Sequence, residues 1–183
     1  MRSCLRHRLF PALAALFLAG CAIFAGPRTV TVPPAQLQTA LARRFPIDVR
    51  YMKLFDLHAT RPVLAIEPDD GRVALTMDVV IAPPFVRRWQ GSITVSGVPT
   101  ADDSRREIVL DAPRLDAFRI DGFDPAMSRE ITRYGADFAA QVLRRVPLAT
   151  YDELRPAFLG ADAVPAKAAA TRAGLVVTFA PAQ

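Results

Sequence analysis

Between Ile47 and Ile120 large apolar residues alternate with polar ones in one run after another. A period of two sends successive side chains to opposite faces of a strand, so this stretch is expected to be β-structure with one face buried. Ile47, Val49, Tyr51, Phe55 and Leu57 alternate with Asp48, Arg50, Met52, Asp56 and His58, and Val63 to Glu67 makes a short strand. Pro68-Asp69-Asp70-Gly71 follows as a turn, with Gly71 supplying a positive φ. Val73, Leu75, Met77, Val79 and Ile81 resume the alternation until Pro83-Pro84 breaks it. Trp89, Ile93 and Val95 then share a face opposite Arg88, Gln90, Ser92, Thr94 and Ser96. After the turn at Asp102-Asp103-Ser104, Ile108 to Ile120 reads as one long strand. Its phase changes between Leu115 and Phe118, which asks for a bulge just after Pro113. Strands joined by short turns imply an antiparallel meander.

A sheet with one apolar face needs a cover. Pro33-Pro34 opens a helix on which Leu37, Leu41 and Phe45 fall at four-residue spacing, and Pro46 ends it. Asp124 is an N-cap followed by Pro125, and Met127, Ile131, Tyr134, Phe138 and Val142 then recur at helical spacing. They predict one helix of about six turns, running to Val146 before Pro147. Gly160 to Ala173 is alanine-rich and expected to be loose, and Gly174 to Phe179 reads as the last strand. The expected fold is α+β: a curved antiparallel β-sheet wrapped around one long α-helix, with a shorter N-terminal helix, in a single domain over residues 33–180.

The N-terminus carries an address. Met1 to Arg8 is basic, Leu9 to Leu18 is a short apolar run, and Leu18-Ala19-Gly20-Cys21 follows directly. That succession is a secretory signal, and its ending resembles the lipobox of bacterial lipoproteins. Residues 1–20 are then a signal peptide, Cys21 is the lipidation site and residues 21–32 are a lipidated tether. Each buried methylene contributes about 0.8 kcal/mol, so two or three acyl chains give durable attachment. Ala22 stands where an Asp would signal inner-membrane retention, which favours the outer membrane, facing the periplasm. Two other readings of the segment stand beside this one. An uncleaved anchor over Leu9 to Gly26 would sit at the short edge of the roughly 17–25 residues a spanning helix needs, and cleavage after Ala25 would release a soluble protein. Cleavage before Cys21 discards Cys4, so the mature domain relies on its core rather than on disulfides.

Charge and motifs exclude several function classes. The formal charge of +5 includes Arg2, Arg6 and Arg8, and without them 20 basic residues face 18 acidic ones. Lysine occurs only at Lys53 and Lys167, and no basic groove with interleaved aromatics is visible, so nucleic acid is not an expected partner. Nucleophilic catalysis needs an activating base, and His58 is the one histidine left after cleavage, on the polar side of a strand. A lone histidine does not make a metal site, and Asp69-Asp70 and Asp102-Asp103 read as turn residues. No enzymatic activity, cofactor or metal is therefore expected. Arg87-Arg88-Trp89 is either a patch that meets lipid headgroups or, more simply, the start of a strand with Trp89 packed inward.

A proline-opened helix ending in Leu41-Ala42-Arg43-Arg44-Phe45-Pro46, a meander with Asp70-Gly71-Arg72-Val73, then one long helix, all behind a lipobox, resembles the YceB-like bacterial lipoproteins. The likeness covers about Val32 to Phe158. It implies a curved sheet around a long helix, similar to one half of a tubular lipid-binding protein. The family has no settled activity, so the resemblance carries over no functional residues. The expected function is a membrane-anchored lipoprotein binding a lipid or other hydrophobic ligand in a groove between sheet and long helix. Leu37, Leu41, Phe45, Tyr134, Phe138 and Val142 are the candidate liners, although the same residues can equally fill a closed core. The alternative is an envelope interaction or scaffold protein whose partner is another protein.

Overall fold

The computed structural model describes residues 28–51, 55–82, 87–144, 146–154 and 163–180. Five long alternating stretches become β2 (Ile47–Tyr51), β3 (Phe55–Glu67), β4 (Arg72–Ala82), β5 (Trp89–Asp102) and β6 (Glu107–Ile120). With the short β7 (Ala149–Thr150) they form a six-stranded antiparallel sheet in sequence order. A second, three-stranded sheet is made of β1 (Arg28–Val32), β9 (Gly174–Ala180) and β8 (Val164–Thr171), in the order β1-β9-β8. Four short helices complete the described residues: α1 (Pro34–Ala42), α2 (Pro125–Tyr134), α3 (Ala136–Leu143) and α4 (Tyr151–Leu154). Among them no helix is long and apolar enough to cross a membrane.

This architecture corrects the expected α+β sheet around one long helix. The protein is mostly β, with two sheets, and the predicted six-turn helix is two short ones separated at Gly135. The cause lies in packing. A Cβ built on Gly135 would stand 2.1 Å from Leu115 Cδ2 and 2.9 Å from Leu115 Cβ on β6. Only a residue without a side chain lets the helical backbone lie this close to the strand. A glycine inside a helix also costs about 1 kcal/mol relative to alanine, so the helix yields there.

The alanine-rich segment is the second correction. Gly160 to Ala173 is expected from sequence to be loose, yet within it Val164–Thr171 is β8, joined to β9 by a tight hairpin whose loop is Arg172-Ala173. Alanine has little strand preference, so the pairing partner decides the outcome: β9, with Leu175, Val177 and Phe179 buried, drives the hairpin. Arg28 to Val32, read as tether, pairs along its whole length with β9. Gly174 was correctly placed as the start of the last strand.

Irregularities in the strands are stitched by specific side chains. In β3 the register slips between Thr60 and Val63, with Arg61 at φ 49° and Pro62 unable to donate to the ladder. Gln38 of α1 repairs this gap: its amide nitrogen donates to Pro62 O at 2.7 Å and its oxygen accepts from Leu64 N at 2.7 Å. In β6 the phase change expected near Leu115 is a bulge at Asp116, since Ala117 pairs with Thr94 while Leu115 pairs with Val95. A second slip faces Gly97, where Ala112 takes φ 45°. Arg72 spans that region, donating to Ser96 Oγ (3.0 Å), Ser96 O (2.9 Å) and Ala112 O (2.8 Å).

One core gathers the inward residues of both sheets and the helices. Leu57, Leu75, Met77, Ile93 and Val95 come from the large sheet, Leu175, Val177 and Phe179 from the small one. Helix α3 lies against β6 and also touches β2, so the large sheet curls around it. The β5–β6 end is riveted by Tyr151, which is fully buried and donates from its hydroxyl to Asp103 Oδ1 at 2.6 Å. Burial first, then that bond to a carboxylate, hold the Tyr151 phenol well above its ordinary pKa, so it stays a donor.

Candidate functional site

The site begins with a polar row across four strands. Thr60 pairs with Asp78, Asp78 with Ser92 and Ser92 with Arg119. The neighbouring pair Ile93 and Phe118 is buried, as the alternation requires. Strands β5 and β6 approach so tightly here that a Cβ on Gly91 would stand 2.0 Å from Arg119 O. Past Ile120 the pairing continues by one bond, Asp121 N to Gln90 O at 2.8 Å. Gly122 then takes φ 85°, a conformation that favours glycine, and turns the chain so that Phe123 N donates to Ile120 O at 3.1 Å.

That turn sends Phe123 back onto the sheet. Its ring stands edge-on to Trp89 (centroids 5.2 Å apart, 72° between planes) and tilted against Phe118 (6.0 Å). Helix α2 starts at once, with Asp124 Oδ1 accepting from Met127 N at 2.8 Å, as its N-cap role demanded. Its Ser128, Arg129 and Thr132 join Asp78, Ser92, Phe118 and Arg119 around an open cleft of about 880 Å³. A second cleft of about 510 Å³, lined by Arg87, Arg88 and Trp89, shares Gln90, Asp121 and Phe123 with the first. Together they form a trough that carries the half-buried aromatic pair Trp89–Phe123, with Phe118 buried behind Phe123 in the core.

The charges along this trough fall into two groups. Arg61 is paired with Asp78, and Asp116 with Arg114, which lines neither cleft, at 2.5 Å. The second oxygen of Asp116 is buried without a hydrogen-bond partner among the described residues. Arg87, Arg88, Arg119 and Arg129 are exposed and make no ion pair among the described residues. Asp121, also exposed, has only its backbone bond to Gln90.

The residues expected to line a groove are placed elsewhere. Leu37, Leu41 and Val142 are buried in the core, Phe138 is almost fully buried there, and Phe45 packs half-buried at its border, just past the end of α1. The structure brings them into one cluster, but neither cleft is lined by any of them. Cys21 and the Tyr134 side chain lie outside the described residues. His58 is exposed and pairs with Asp48 (2.8 Å), a surface contact. Among the described residues no three His, Cys, Asp or Glu side chains converge as metal ligands. Trp89 packs against Phe123 as the simpler reading of Arg87-Arg88-Trp89 anticipated, while both arginines stay in solvent. The sequence reading did not single out Phe118, Phe123, Arg119 and Arg129. The one local signal was Asp121-Gly122-Phe123-Asp124, a turn followed by an N-cap that fixes where the phenylalanine returns.

No protein-family model matches the chain, and no curated protein matches it either.

Proposed function

We propose that this chain is a lipid-anchored envelope lipoprotein, facing the periplasm, that binds a lipid or other hydrophobic ligand in the open trough between α2 and strands β3–β6. The observation that carries the binding reading is the half-buried aromatic pair Trp89–Phe123, with Phe123 shared between a cleft of about 880 Å³ and one of about 510 Å³. A volume in the range of small-molecule sites, lined by polar and apolar residues together, suits an amphipathic ligand. The anchoring reading rests on Leu18-Ala19-Gly20-Cys21 behind a basic, then apolar, N-terminus, and its resemblance to YceB-like lipoproteins. The ligand-binding groove is thereby moved from the packed core beside α1 and α3 to the surface trough.

Radiolabelled palmitate fed to cells making the wild type and Cys21→Ser, with envelope fractionation, tests the anchor. Label in the wild type and none in the variant is the expected result; no label in either removes the lipoprotein reading. A second reading, an envelope interaction protein, is favoured by β1, which forms an edge of the small sheet with Arg28, Thr29 and Thr31 exposed. A stoichiometric protein partner crosslinked to that strand in intact cells would support it over ligand binding.

A further inference from the structure

We infer that the trough selects an anionic amphiphile, a phospholipid-like molecule whose phosphate is taken by guanidinium groups while its apolar part lies on the half-buried Trp89 and Phe123. This rests on the ligand-binding reading above and adds the charge of the ligand to it. Each arginine elsewhere that closes on a carboxylate has its charge answered. Arg61 does so within this very cleft, with Asp78, and Asp116 of the cleft wall is answered by Arg114 from outside it. Against that background Arg119 and Arg129 on the first cleft, and Arg87 and Arg88 on the second, have no ion-pair partner among the described residues. Asp121 is the one unpaired carboxylate facing them, on the wall that both clefts share. The unanswered charge of the trough is therefore positive.

Phe123 touches Trp89 and is shared by both clefts, so an apolar surface adjoins the arginines of each. Guanidinium forks match phosphate oxygens bidentately, and such charge-assisted bonds are about twice as strong as neutral ones. A zwitterionic headgroup would bring a cation toward the same arginines and lose part of that gain. Free phosphate offers the same anion without a chain to cover the aromatic pair.

Native mass spectrometry of the full chain, released from neutral maltoside micelles doped with equal phosphatidylglycerol and phosphatidylcholine, separates these possibilities. The expected result is a one-to-one adduct richer in phosphatidylglycerol by roughly fivefold to tenfold, near 1 kcal/mol of charge-assisted bonding. Arg119→Gln with Arg129→Gln should bring the ratio close to one. Arg43→Gln, an exposed arginine outside both clefts, should leave it unchanged. The replaced arginines are exposed and unpaired, and near-ultraviolet circular dichroism checks that the double variant folds. Equal adducts of both lipids in the wild type would overturn the anionic preference while leaving the hydrophobic-ligand reading intact. No lipid adduct at all would overturn both. Displacement of phosphatidylglycerol by millimolar inorganic phosphate would assign the arginines to the free anion and remove the lipid from this site.

Discussion

Arg72 shows how one side chain can hold a bulged sheet in register. A slip in the β5–β6 ladder leaves Ala112 at φ 45° and its carbonyl away from regular pairing, beside the fully buried Ser96. The Arg72 guanidinium reaches both from β4, making three bonds of 2.8 to 3.0 Å to Ser96 and Ala112. Arg72→Met keeps most of the aliphatic stem but leaves the Ser96 hydroxyl without its donor. A buried polar group left unsatisfied costs about 1–3 kcal/mol, so the unfolding free energy should fall by that amount, read as a lower urea midpoint at unchanged slope. Arg72→Lys should recover only part of the loss, because one ammonium cannot meet acceptors on two strands in a fork geometry. An unchanged midpoint in Arg72→Met would mean that water replaces the guanidinium at no cost. The sequence placed Arg72 after a turn, but nothing local marks a contact 40 residues away at Ala112.

Among the elements, what was legible depended on which side of each had to be buried. Strands β4 and β5 were readable because one apolar face alternates with one polar face, and Met77, Val79, Ile93 and Val95 are buried as that pattern requires. The division of α2 from α3 was not, because Ile131 and Phe138 keep helical spacing across Gly135 and so conceal the break. The deciding atom is Leu115 Cδ2, on a strand far away in sequence. Similarly, Ala166 to Ala170 carries little alternation, and the pairing that makes β8 a strand belongs to β9. Gly135→Ala tests the account of the break. Helix propensity alone predicts stabilisation by about 1 kcal/mol, whereas overpacking against a strand typically costs about 1–3 kcal/mol. The geometry favours the second, since a Cβ 2.1 Å from Leu115 Cδ2 forces the helix or the strand to move. Thermal denaturation should therefore show a lower midpoint in Gly135→Ala, and a higher one would show that the packing at Leu115 relaxes freely.

At the scale of the whole molecule, apolar side chains have two separate destinations, and their separation decides how function can be tested. Leu41 and Val142, expected from sequence to line a groove, are fully buried with Leu57, Leu75 and Phe179. The aromatic part of the trough is instead the half-buried pair Phe123 and Trp89, set at the border of the core on Phe118 by the turn at Gly122 and by β5–β6 pairing. A periodic helix face was visible in the sequence; a surface built from a turn, a strand end and the first turns of α2 was not. Leu41→Ala removes a packed side chain, for which losses of about 2–5 kcal/mol are usual. Phe123→Ser opens a half-buried position at the trough and should cost less stability while abolishing lipid adducts. Chemical denaturation and native mass spectrometry on the same two variants should thus give opposite orders of severity. If Leu41→Ala retained its stability but lost the lipid while Phe123→Ser kept it, the ligand would lie in the interior between α1 and the sheets. The trough would then be an ordinary fold in the surface.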